Sequence, residues 1–110
     1  FYPDTATGKV KEFIEAYRKM FGVDPNLQST SGYDGAMAFA FYAGLAGKNL
    51  TTESLIAAME SGKVFEDIFG GAPVSFSKDN HLGVSAATIG QIKNGRWTTI
   101  ARNQSYKAEK

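Results

Sequence analysis

The run Ala36-Met37-Ala38-Phe39-Ala40-Phe41-Tyr42-Ala43 constrains the fold more than any other stretch. Wound as a helix, it presents apolar side chains on every side. Such a helix needs cover over most of its circumference, or it lies closely on a sheet through its alanines. The spacing predicts a helix over 31–46, with Ser31 as N-cap and Asp34 in the first turn, where its charge suits the helix dipole. Gly47 ends it. Tyr33 then stands at the head of this helix, where unpaired N–H groups and a positive dipole end suit a carboxylate. Its ring offers a flat apolar face and one hydroxyl. Two readings stay open for Tyr33: a ligand contact, or a ring packed beneath a neighbouring loop.

The flanking segments read as further elements. Val10, Phe13, Ile14, Tyr17, Met20 and Phe21 fall three and four apart, one apolar stripe of a helix over 7–21. Thr7 is its N-cap and Gly22 its stop. Glu15 precedes Lys19 by four, the favourable order for a charge pair. Val23-Asp24-Pro25-Asn26 is a turn, and polar 27–31 leaves room for a very short strand. A third helix is expected over 51–61, capped by Thr51, with Glu53 in its first turn and Gly62 beyond its end. After Gly62 the period changes. Val74 to Ser77 alternates as a short strand. Gly83 to Lys93 reads as a longer one, and Asn94-Gly95 is a strong hairpin signal returning through Arg96 to Ala101. The polar tail, 102–110, should fray.

Several functions find no residues to carry them. Net charge is +1 with both signs interleaved, so no basic face for nucleic acid exists and no nucleic-acid partner is expected. Cysteine is absent, which removes disulfides and thiolate-bound zinc. His81 is the one histidine, and with only Asp79 nearby it reads as a solvated turn residue, so no metal site is expected. No glycine spacing matches a dinucleotide or phosphate loop. Glu53, Glu60, Glu66 and Asp67 are spaced as surface charges. No catalytic residue and no cofactor is therefore expected, and the chain is not read as an enzyme. Trp97 is either a stacking platform for a ligand or, more often, a ring packed across its own hairpin. The aromatic set Phe39, Phe41 and Tyr42 reads as core. The opening at Phe1 rather than Met fits a trimmed or excised piece.

Five stretches in order, from Tyr2 to about Ile100, resemble the type I periplasmic solute-binding proteins, in the branch with receptors for branched-chain amino acids, amides and aromatic acids. Val10 to Gly22 is similar to that family's "F-x-x-x-Y-x-x-x-Y/F-G" helix. Gly32-Tyr33-Asp34-Gly35-Ala36 is similar to its "Y-D-A" opening of an apolar helix. Leu50 to Leu55 is similar to "T-x-E-x-L-x-x-A-L/M", Phe76 to His81 to "F-x-x-x-D-H", and Gly90 to Trp97 to "x-Q-I/V-x-D-G-K/R-W".

The resemblance implies an α/β chain forming the C-terminal part of a type I periplasmic-binding-protein fold: three helices, a short strand and a C-terminal β-hairpin. It implies two lobes that close on a ligand. Residues 1–88 would supply first-lobe elements and 89–101 the strands returning to the second lobe, with a hinge near 87–90 and a tail over 102–110. The βαβ units that build both sheets would lie in an earlier part. It also implies an extracytoplasmic component of an ABC importer that captures an amino acid or other small organic acid. Its partner would be the membrane permease. The location would be periplasmic or extracellular, after a signal peptide in the precursor and compatible with a lipid anchor. Tyr33 carries over as a ligand-binding residue, with Asp34 as its weaker neighbour. The alternative is a stand-alone α/β module that dimerises without a small-molecule ligand. By itself the chain is expected to form a homo-oligomer, because its second helix and hairpin need cover.

Overall fold

The computed structural model describes Tyr2 and residues 4–105. Three helices come first: α1 (Gly8–Phe21), α2 (Leu27–Ala46) and α3 (Thr52–Met59). A non-helical strap, residues 60–85, crosses them, and an antiparallel hairpin of β1 (Ala86–Lys93) and β2 (Arg96–Ser105) follows. The architecture is the expected α/β order of three helices and then a two-stranded sheet.

Capping explains the helix boundaries. Thr7 holds extended backbone at the start of α1 without a side-chain cap, and Gly22 ends it at φ 72° with its N–H on the Arg18 carbonyl at 2.8 Å. The Arg18 guanidinium and the Asp24 carboxylate pair across the following turn, and Arg18 is one of two cations in the last turn, where the helix dipole favours them. The i,i+4 pair on α1 is Lys11–Glu15 at 3.8 Å, not the expected Glu15–Lys19, and both partners are exposed. Thr51 caps α3 by a reciprocal pair: its Oγ1 accepts the Ser54 N–H at 3.1 Å, and Ser54 Oγ accepts the Thr51 N–H at 2.9 Å. Ser54 stands where the usual box has Glu or Gln.

The start of α2 corrects the sequence reading. The helix begins at Leu27, not near Ser31, and the polar 27–31 stretch is helix rather than strand. Asn26 is the cap: its Oδ1 accepts the Ser29 N–H at 3.0 Å, and Ser29 Oγ accepts the Asn26 N–H at 2.8 Å. Thr30 and Ser31 hydroxyls donate back to the Leu27 carbonyl at 2.8 and 2.9 Å, so they turn inward on the helix instead of diverting the backbone.

The core is small. Ile14, Tyr42, Ala58 and Phe65 are its buried hydrophobic residues, with Thr30 buried beside them. Tyr42 organises it. Its ring lies between Phe41 and Phe76, at 5.0 and 5.7 Å between centroids. Its hydroxyl is shared between the Lys63 and Val74 carbonyls at 3.0 and 3.2 Å. Those carbonyls bracket the strap's own bridge, in which Phe65 and Val74 exchange N–H···O bonds of 2.9 Å. The expected strand at Val74–Ser77 is reduced to this bridge and a second one, Ser77–Asn80.

Around that core much apolar surface stays open. Met20 and Phe21, expected in the α1 stripe, are exposed, as are Met37 and Phe39 of the all-apolar helix. Accessible surface is 8374 Å², against roughly 6,000 Å² for a self-contained folded chain of this mass. The radius of gyration is 16.5 Å, against about 13 Å for a compact domain of this length.

Asn94 and Gly95 take φ of 52° and 74°, the left-handed pair that a two-residue hairpin turn requires. Ile92 faces Trp97 across the ladder, and the indole covers Gly90, where a Cβ would come within 3.2 Å of the ring. Trp97 thus packs on its own hairpin. The pairing slips between Ala87 and Ile89 and again between Ile89 and Gly90. Contrary to the expected fraying, residues 102–105 continue β2 as ladder; the rest of that tail lies outside the described residues. The opening segment is tied to the hairpin tip. Arg96 forks onto Asp4 at 3.2 and 2.6 Å, and the Trp97 N–H donates to the Tyr2 hydroxyl at 2.6 Å.

Candidate functional site

Tyr33 and Asp34 are neighbours on α2, and the strap brings a second set of side chains to them. Because α2 begins at Leu27, Tyr33 sits in the helix interior rather than at its head. The positive dipole end proposed for it belongs to the turn around Asn26–Ser29 instead, where the two side chains already cap the Asn26 and Ser29 N–H groups. What Tyr33 has is an aromatic setting. Its ring centroid is 4.7 Å from that of Phe13 on α1 and 6.0 Å from that of Phe69 on the strap. Phe13 and Phe69 meet edge to face at 5.3 Å. Three rings from three segments thus form one cluster, and Tyr33 is half-buried within it.

Hollows open on either side of this ring. One of about 310 Å³ runs along α1, walled by Phe13, Tyr17, Met20 and Phe21. Another, of about 340 Å³, lies between α2 and the strap and adds Lys9, Asp34 and Glu66 to Met37, Phe41 and Phe65. Tyr33 lines both, and also a third of about 420 Å³ with Glu12 and Ile68. Aromatic walls with a few polar groups are the usual makings of a small-molecule pocket.

Asp34 supplies the sharpest of those polar groups. Its Oδ1 is buried and has no hydrogen-bond partner among the described residues. Burial, then the negative charge of Asp67, pushes its carboxyl up to about 6. Asp67 is itself engaged. Its Oδ1 accepts the Phe69 N–H at 2.6 Å, and both its oxygens accept the Gly71 N–H at 3.1 Å. A Cβ on Gly71 would stand 2.3 Å from Asp67 Oδ2, so a larger residue there would displace the carboxylate from this turn. Asp67, spaced in the sequence as a surface charge, instead anchors a loop that closes on itself at Gly70-Gly71, and that glycine pair beside an Asp is the local signal for it.

His81 lies away from this site. Its Nε2 meets Glu60 Oε1 at 2.8 Å, so it is exposed but not simply solvated. The pair rims a hollow of about 180 Å³ lined by Ile56, Met59 and Phe76. Among the described residues no group of three or more His, Asp or Glu is placed to hold a metal ion. No helix among them is long and apolar enough to cross a membrane.

Comparison with known families settles what kind of chain carries this site. The family model for periplasmic binding proteins matches residues 1–96, most of the chain. The chain belongs to the type I periplasmic binding proteins. No curated protein matches it. Membership gives it a solute-binding role in general, a small-molecule ligand and an extracytoplasmic location, in a family whose members are generally not enzymes. The helices and hairpin described above are consistent with a part of that fold.

Proposed function

We propose that the chain acts in the solute-binding component of an ABC importer, capturing an amino acid or other small organic acid, with Tyr33 and Asp34 in contact with the ligand. The observation that carries this reading is the hollow at Tyr33: an aromatic cluster beside a carboxylate whose buried oxygen has no hydrogen-bond partner among the described residues. An acceptor left open in an apolar wall costs free energy until a donor fills it, and a ligand N–H or O–H would do so. In this reading residues 1–88 belong to one lobe and 89–101 return to the other. The slipped pairing at 87–90 suits a crossing segment there. The membrane permease is the proposed partner.

In the complete protein, Tyr33→Ala should weaken solute affinity about tenfold or more, as the loss of a central aromatic contact does. Melting of the ligand-free protein should also fall, because the variant gives up the Phe13 and Phe69 rings. Titration calorimetry beside a melting curve separates the two effects. A loss of stability with unaltered affinity would make Tyr33 a packing residue only.

A second reading is a stand-alone module that dimerises without a small ligand. The open apolar surface of α2 and the hairpin favours it. Both readings place self-association on the chain when it stands alone.

A further inference from the structure

We propose that Tyr2 and Asp4 clasp the hairpin tip, so that the opening segment and the hairpin move as one unit and Arg96 sets the hairpin's direction relative to the helices. Several contacts converge there. Arg96 forks onto Asp4 at 3.2 and 2.6 Å, and its guanidinium lies over the Tyr2 ring, 4.8 Å from the centroid. The Trp97 N–H donates to the Tyr2 hydroxyl at 2.6 Å. The segment is also closed on itself, because the Thr5 N–H and hydroxyl both donate to the Tyr2 carbonyl, at 3.1 and 3.3 Å.

The ladder explains why Tyr2 finds a donor. In a two-residue hairpin the pair beside the turn, here Lys93 and Arg96, exchanges its hydrogen bonds, so the next pair, Ile92 and Trp97, points its N–H groups outward. The Trp97 N–H is thus an open edge donor of β2, and Tyr2 covers it. Little else holds the hairpin in place. Among the described residues no helix packs against either strand. On its far end Arg102 reaches the Gly70 carbonyl at 3.5 Å, beyond the usual range of an N–H···O bond. A lone ion pair between groups as exposed as Arg96 and Asp4, at 50% and 58%, would contribute little. Here the fork, the ring beneath the guanidinium and the Tyr2 hydroxyl act on two adjacent residues, and a bidentate pair fixes direction as well as distance.

Two measurements on the 110-residue chain test the clasp. By NMR hydrogen exchange, the Trp97 amide should exchange about fivefold faster in Tyr2→Phe, the loss of one hydrogen bond, while the ladder amides keep their rates. An amide indifferent to Tyr2→Phe would overturn the clasp, and would mean that another strand covers this edge or that nothing does. The chain has no cysteine, so Lys19→Cys on α1 and Gln91→Cys on β1 can carry spin labels. Diluted into unlabelled chain, this pair should give one narrow distance distribution, which broadens when Arg96→Ala is added. A distribution already broad with Arg96 in place, or equally narrow without it, would overturn the role of Arg96. The Tyr2→Phe arm stands even if Arg96→Ala fails to fold.

Discussion

Tyr42→Ala should cost about 3–5 kcal/mol, the range for removing a large buried ring. Tyr42 is 2% exposed and fills the centre of a core with few other members. It contacts Phe41 and Phe76, and its hydroxyl ties α2 to the Val74 carbonyl of the strap bridge and to the Lys63 carbonyl two residues before Phe65. Little else can close over the space it leaves. Against the roughly 5–15 kcal/mol of a typical domain, the loss would leave much of the chain unfolded at ambient temperature. Tyr42→Phe isolates the hydroxyl. The Val74 carbonyl keeps the Phe65 N–H, but the Lys63 carbonyl loses this donor. The expected cost is about 1–3 kcal/mol. Urea unfolding of both variants checks the order. Equal midpoints for wild type and Tyr42→Ala would mean that the strap is not held on α2 as described.

Self-association of the 110-residue chain is the second large effect. Met37 and Phe39 on α2 and Ile89, Ile92, Trp97 and Ile100 on the hairpin are between 42% and 65% exposed. Each large side chain left in water forgoes up to about 1.5–3 kcal/mol of burial. A lone two-stranded hairpin is marginal in water, and its free edges are templates for another strand. Pairing these surfaces between identical chains recovers burial at low cost. Light scattering at micromolar concentration should therefore give at least twice 11.9 kDa. A stable monomer with cooperative heat unfolding would contradict the expectation.

Local chemistry made much of the fold legible. Gly22, Thr51 and Asn94-Gly95 act where their backbone preferences placed them, because each signal is complete within a few residues. The start of α2 was missed for a physical reason. Gln28-Ser29-Thr30-Ser31-Gly32 has low helix propensity, and its hydroxyls compete with the backbone in isolation. In the structure those hydroxyls serve the helix, and Asn26 with Ser29 closes a cap that lacks the usual Glu or Gln. Asn26 after Pro25 was the available clue.

The candidate site was legible only in part. Tyr33 and Asp34 stand next to each other in sequence, so both could be singled out together. Their surroundings come from far along the chain: Phe13 from α1, and Phe69 and Asp67 from the strap. No periodicity links residue 34 to residue 67. Burial of a carboxylate is likewise a property of packing, and it appears only once the strap lies across α2.

Solute binding is the central claim, and a thermal-shift screen of the complete protein against amino acids and small organic acids tests it most directly. A ligand held by the folded state alone stabilises it by mass action, about 2.7 kcal/mol at a hundred times its dissociation constant. The account predicts that at least one solute raises the melting temperature in a saturable way, and that Tyr33→Ala shifts this response to higher concentration. A screen in which no solute of either class changes the melting temperature, or in which Tyr33→Ala leaves the response of a binder unchanged, would contradict it.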